Sequence, residues 1–410
     1  MTQKRRLLWG IATLLGGLWL LCSLGALLVS WLLPKLELGF LAPTQTIVAA
    51  LGLVGLFLAS LLFVTSRRAW RGEAHRRFAP RHPWLWLGLP VGLAMLLLLG
   101  VSFMALINSG LSFEGLWFAP FHMALIVIPA LFILLGCIFL SGRAAAPTWR
   151  ELGLTLGSGA LSTLLALPLE GLGLLISGGG ILLLVWLLPG GQEEIQRLLT
   201  LVEELQHLSP EMLNPQTATS LLTSPVVLGA LLGMLGLMFA VVAPLVEELA
   251  KTLVVGALGF VKRPGLLTSF LWGVACGIGF AMVEGITNGG MGLEQGGAGI
   301  WVAGVGARVL STTMHALSSG LVGLGWGYFW QGRRWVLPLS YLGALLFHGM
   351  WNLSVVLMVA GAGFILKSWL LAGVVFILGG LTLLGTLVVA APLSLFAIPL
   401  IWRQPRVTEA

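Results

Sequence analysis

Residues 225–260 read PVVLGALLGMLGLMFAVVAPLVEELAKTLVVGALGF. The stretch is apolar enough and long enough to cross a bilayer, which needs about 20 apolar residues. Yet it carries Glu247, Glu248 and Lys251 near its middle. A charged side chain at the bilayer centre costs about 2.5–3.5 kcal/mol on the lenient insertion scale, so such residues pair, line a cavity or do chemistry. Three further apolar stretches downstream repeat the anomaly, with Glu284, with Arg308 and His315, and with His348. The spacing within each stretch is helical. Glu247 and Lys251 are four apart, as are Phe280 and Glu284, Ser311 and His315, and His348 and Asn352. Four-residue spacing stacks side chains along one helix face. The expected fold is therefore all-α, a polytopic membrane helix bundle with a polar site built by four of its helices.

Composition agrees. The chain has 410 residues, 58% hydrophobic and 9% charged, with no Asp among its 15 acidic residues. Ordinary soluble domains carry roughly 25% charged residues. Ten spans are expected, near 7–33, 44–66, 85–108, 115–141, 152–188, 225–260, 265–287, 300–330, 336–360 and 368–402. With the N-terminus cytoplasmic, 17 of the 22 Lys and Arg fall inside, three outside and two within the membrane. That asymmetry follows the positive-inside rule and accounts for the +7 charge without nucleic acid as a partner. The partners implied are the lipid bilayer and whatever the polar site acts on. Both termini are then cytoplasmic, and the run after Lys4-Arg5-Arg6 is too long for a cleaved signal peptide.

Four regions are expected. Residues 1–150 form a four-helix scaffold or regulatory region, whose His122 reads as a hydrogen-bonded core histidine. The loop 67–84 carries six Arg beside Trp70 and Trp84 and reads as a topology anchor on anionic lipid headgroups. Residues 151–224 hold a span expected to break at Pro168 or at Gly178-Gly179-Gly180, followed by an amphipathic helix over 192–208 on the outer surface. Glu170, in the broken span, stays outside the proposed site. Residues 225–360 form the polar core, and 361–410 a last span and cytoplasmic tail. Cys22, Cys137 and Cys276 lie in apolar runs without metal-ligand spacing and read as buried, inert thiols.

The polar core holds four motifs. In Pro244-Leu245-Val246-Glu247-Glu248-Leu249-Ala250-Lys251, the proline suits a first helical turn and Lys251 can neutralise a carboxylate one turn back. Phe280-Ala281-Met282-Val283-Glu284 follows. His315 comes next, with Ser318, Ser319 and Gly320 after it, small residues that let helices approach closely. His348-Gly349-Met350-Trp351-Asn352 closes the series. At about 1.5 Å per residue from the nearest basic anchor, Glu248 and His348 lie roughly 21 Å deep, His315 roughly 27 Å and Glu284 roughly 32 Å. Glu284 joins the others in depth only if the turn at 264–268, with Pro264 and Gly265, leaves the helix.

The order and spacing of these motifs resemble the PrsW family of intramembrane proteases, within the wider CAAX-protease and bacteriocin-processing superfamily. Its pattern is Glu-Glu-x-x-Lys, Phe-x-x-x-Glu, a lone His and His-x-x-x-Asn on successive helices. Here it falls on Glu247, Glu248 and Lys251, on Phe280 and Glu284, on His315, and on His348 with Asn352. The resemblance covers about 225–360, and Gly285 departs from it where Asn is expected. It implies hydrolysis of a peptide bond in a membrane-anchored protein substrate, in a bacterial or archaeal plasma membrane. Such chemistry needs a base to activate water and donors for the developing oxyanion. Glu247 is the expected base, with Glu248 as its partner, Lys251 as charge partner, and His348 and Asn352 as oxyanion donors. The cofactor remains open. A metal-free route is slightly preferred, and the other route has Glu284, His315 and His348 holding Zn²⁺. Outside the resemblance, the same buried Glu, Lys and His residues would suit a proton- or ion-coupled transporter, or the polar joints of a non-enzymatic scaffold.

Overall fold

The computed structural model describes residues 3–32, 42–73, 77, 98, 100–101, 118–196, 199–200, 225–296, 298–365 and 370–402. Among these, helices account for nearly all of the chain, and the only β feature is one bridge, Arg77 to Thr148. The helices are α1 (Gln3–Leu32), α2 (Ala42–Trp70), α3 (Ala119–Ser141), α4 (Trp149–Leu161), α5 (Thr163–Leu187) and α6 (Pro225–Leu237). A π turn (Met238–Val242) then leads into α7 (Ala243–Lys262), α8 (Leu266–Gly296), α9 (Ala298–Trp330), α10 (Val336–Ile365) and α11 (Leu370–Ile401).

Eight segments of the described residues are long and apolar enough to cross a membrane. The protein is an integral membrane protein. The expected span at 85–108 lies almost wholly outside the described residues, as does most of the 192–208 helix, of which 192–196 is helical. The expected span at 300–330 is a helix of 33 residues, α9, but is not among the eight. Its middle is a run of Arg308, Ser311, Thr312, His315, Ser318 and Ser319, all but Arg308 buried.

The chain divides into two compact units: Met1–Leu164 with Glu248–Phe347 and Leu387–Ala410, and Leu165–Glu247 with His348–Thr386. The divisions fall inside α5, α7, α10 and α11 rather than in loops.

In the first unit α8 is the central element. Of its most apolar window 78% is buried, against 17% for α1. Glycine makes that possible. A Cβ at Gly273 would lie 2.1 Å from the Ser319 carbonyl oxygen of α9, one at Gly277 2.2 Å from that of His315, and one at Gly279 2.1 Å from that of Leu156 in α4. Backbones thus touch directly, the packing that small residues allow between membrane helices. Leu58, Leu125, Ile126, Phe270, Ile278 and Trp301 fill the core around them. His122 is the core histidine expected: Trp301 Nε1 donates to its Nδ1 at 3.1 Å, and its Nε2 meets the Ile286 carbonyl at 2.9 Å. At one end of the unit Thr148 and Glu151 form a reciprocal capping box at the start of α4, and Lys262 reaches Glu151 at 2.5 Å.

Two expectations need correction. The break in the fifth span is not at Pro168 or the glycine run, through which α5 continues; it is a single non-helical residue, Ser162, between α4 and α5. There the Ser162 and Thr163 hydroxyls donate to the Gly159 and Ala160 carbonyls at 2.6 and 2.7 Å, so side chains satisfy backbone groups at the joint. Of the three thiols, Cys137 and Cys276 are buried but Cys22 is exposed. It sits on α1, whose apolar surface is mostly uncovered by protein, as a lipid-facing helix requires.

The second unit is built from nearly all of α5, α6, the π turn, the first turn of α7, the second half of α10 and the first half of α11. A Cβ at Gly361 of α10 would meet α11 at Ile377 Cγ1, 2.7 Å away, and one at Gly380 would meet the Ser354 carbonyl oxygen at 2.9 Å. Pro244 lies in the first turn of α7, as expected. The chain does not leave the helix ahead of it; it widens into the π turn.

Candidate functional site

Polar side chains from α7, α8 and α9 form one connected chain in the first unit. Glu248 is fully buried, and each of its oxygens accepts a bond: Oε1 from Lys251 Nζ at 3.0 Å and Oε2 from Ser319 Oγ at 2.8 Å. Lys251, also fully buried, has three donors. One serves Glu248, and another meets His315 Nδ1 at 2.9 Å. The ammonium also stands 4.0 Å from the centroid of the Phe280 ring, a cation–π contact that gives the motif phenylalanine its role.

An ammonium can only donate, so His315 Nδ1 accepts and the ring proton sits on Nε2. That proton is directed to Glu284 Oε2, 2.8 Å away. The other Glu284 oxygen accepts from Arg308 Nη1 at 2.8 Å and from Asn288 Nδ2 at 3.0 Å. The chain therefore runs Ser319–Glu248–Lys251–His315–Glu284–Arg308, with two carboxylates balanced by an ammonium and a guanidinium. Its Glu248–Lys251 end is fully buried and its Glu284–Arg308 end is about one quarter exposed. Buried charge demands such pairing and hydrogen bonding.

The depth question is answered by the turn between α7 and α8. Residues 263–265 leave the helix, with Arg263 at φ 48°, so Glu284 reaches the level of His315. Gly285, the departure from the expected Asn, has a packing reason: a Cβ there would lie 2.9 Å from Ile126 Cγ2. The carboxamide comes instead from Asn288, one turn further on. Sequence reasoning missed Asn288, although its four-residue offset from Glu284 was a usable signal. It had counted Ser319 only as small; the structure makes it a donor to Glu248 as well.

The second unit holds a different arrangement. Glu247 and His348 are both buried, and Glu247 Oε2 stands 3.8 Å from His348 Nε2. That is too long for a direct hydrogen bond between these atoms. It is short enough for one water to reach both. One turn beyond His348, Asn352 Nδ2 donates to the Phe239 carbonyl in the π turn at 2.8 Å. Every candidate site residue named from the sequence thus lies in a described helix. Glu248, Lys251, Glu284 and His315 are brought together in the first unit, and Glu247, His348 and Asn352 lie in the second. Glu247 and Glu248 are consecutive residues of α7.

Residues 213–395 match the family model described as PrsW family intramembrane metalloprotease. No curated protein and no solved structure matches the chain.

Proposed function

We propose, from the match of residues 213–395 to a PrsW family intramembrane protease model, that the chain hydrolyses a peptide bond of a membrane-anchored protein with Glu247 as the general base. The observation that carries this reading is the buried Glu247–His348 pair at 3.8 Å. A carboxylate and an imidazole at that separation can share one water, the carboxylate taking its proton as it attacks the scissile carbonyl. His348 then supplies the donor that the developing oxyanion needs. Glu248, Lys251, Glu284 and His315 form the charge-balanced network of the first unit. Glu248 and Glu284 each have both oxygens hydrogen-bonded within that network.

The family's description brings in a metal as a second reading. Within the second unit the donors that would contribute to holding it are Glu247 and His348, a buried carboxylate and a buried imidazole. Within the second unit the spacing fits: two ligands of a tetrahedral zinc at about 2.0–2.1 Å stand roughly 3.3 Å apart. Glu284, expected as a ligand from sequence, already has both oxygens hydrogen-bonded. When bound, the metal would act as a Lewis acid and generate a nucleophile at neutral pH. His315, also expected as a ligand from sequence, has both ring nitrogens engaged within the first unit, Nδ1 by Lys251 and Nε2 by Glu284.

The test is co-expression with single-span membrane proteins and the Glu247→Gln variant. Glutamine keeps the shape but cannot accept the proton, so cleavage should fall at least about 10²-fold while the protein still folds. Cleavage at the wild-type rate would reject Glu247 as base and as ligand alike. Metal analysis of purified protein separates the two routes: about one zinc per chain, lost in His348→Ala, selects the second. We further propose that both termini are cytoplasmic, from the distribution of basic residues. Reporter fusions after residues 75, 205 and 408 should read inside, outside and inside, and an outside signal at 75 would overturn the orientation.

A further inference from the structure

The π turn ahead of Glu247 creates a backbone debt that a single side chain settles. In an α-helix the carbonyl of residue i accepts from the N–H of residue i+4. Here the Ala243 N–H is directed instead to Met238, five residues back, as a π turn requires. Phe239 thereby loses its regular donor. The next N–H along the chain would be that of residue 244, which is proline and has none. A carbonyl left without a donor inside a membrane is costly. Asn352 Nδ2 supplies the missing bond at 2.8 Å.

A second contact holds the same two segments. A Cβ at Gly349 would lie 2.2 Å from the Ala240 carbonyl oxygen, so α10 rests directly on the π turn at that point. Gly349 and Asn352 lie next to, and one turn beyond, His348, while Glu247 lies one turn into the helix that the π turn launches. The two contacts therefore fix the rotation and height of α10 against the start of α7, all within the second unit.

We infer that Asn352 is a positioning residue, acting through the Phe239 carbonyl to hold His348 opposite Glu247, rather than a donor to the oxyanion. The inference rests on the proposed reading of Glu247 and His348 as the reacting pair. It explains why an amide stands at this position. The bond needs a neutral donor of that length, which an ionised aspartate cannot be.

Proline supplies the decisive test, because Pro244→Ala restores an N–H within reach of Phe239. If Asn352 acts on the turn, Asn352→Ala should lower the cleavage rate about 10–100-fold with KM little changed, the scale of a displaced reacting group. The double variant Asn352→Ala with Pro244→Ala should then recover most of that loss. Backbone hydrogen exchange over 238–247 should rise in Asn352→Ala and return toward the wild-type level in the double variant. An oxyanion donor would show neither recovery, and a double variant no better than Asn352→Ala overturns the inference. If Asn352→Ala does not accumulate, accumulation of the double variant supports the inference and its absence rejects it. Glu247→Gln is measured alongside. Should it cleave normally, the reading of the reacting pair fails, while the exchange pattern still decides the role of Asn352.

Discussion

Glu247 and Glu248 are neighbours in the chain, and the structure gives them opposite surroundings. Glu248 is locked, with one oxygen on an ammonium, the other on a serine hydroxyl, and no exposure. Glu247 faces an imidazole across 3.8 Å. Bonds already made in the resting state stabilise a carboxylate, and they must be given up before it can take a proton. On the proposed reading, the Glu248 network positions charge and the Glu247–His348 pair does the chemistry. A helix turns by about 100° per residue, so consecutive side chains serve separate faces.

The comparison can be broken hardest at Lys251. Lys251→Met leaves Glu248 buried without its cation and withdraws the partner of His315. Removing one member of a buried ion pair costs about 3–5 kcal/mol. The thermal midpoint in detergent should fall steeply and cleavage should vanish with it. A stable, active variant would show that the network is dispensable. Glu247→Gln should do the reverse, losing cleavage while its midpoint stays within a few degrees of wild type, because a neutral isostere replaces a buried charge.

Gly277→Ala tests the scaffold beneath the network. Its Cβ would meet the His315 carbonyl at 2.2 Å, so α8 and α9 must part. Overpacking of this kind costs about 1–3 kcal/mol. Both midpoint and activity should drop, because His315 moves with its helix. Arg308→Gln acts at the partly exposed end, where the loss should be about 1–2 kcal/mol, typical of a hydrogen bond to a charged group. The smallest effect belongs to Cys22→Ser, on an exposed face of α1 outside the network: midpoint and cleavage should both stay close to wild type.

Much of this was legible before any coordinates. Helical spacing placed Glu284, His315 and His348 on separate helices. The small residues after His315 announced close packing, and the glycines opposite them realised it. What the spacing did not carry was which bonds each polar atom makes. Asn288 and Arg308, from different helices, share one oxygen of Glu284. Pro168 and the glycine run looked like helix breakers, but neighbouring groups can satisfy a helix through such residues, and the joint formed six residues earlier at Ser162. The π turn had no sequence signal beyond Pro244, because a π turn differs from an α turn only in which carbonyl receives each N–H.

The sequence by itself determined that this is a polytopic helical membrane protein, and which of its apolar helices carry ionisable side chains. Hydropathy and four-residue periodicity are properties of the chain, and a bilayer admits few other folds for so apolar a sequence. Only the tertiary structure decided how the two adjacent glutamates differ, that Lys251 bridges Glu248 to His315, and that Asn352 serves a backbone carbonyl. Each depends on helix rotation and on contacts between residues 64 to 113 positions apart, which side-chain packing sets and local sequence does not encode.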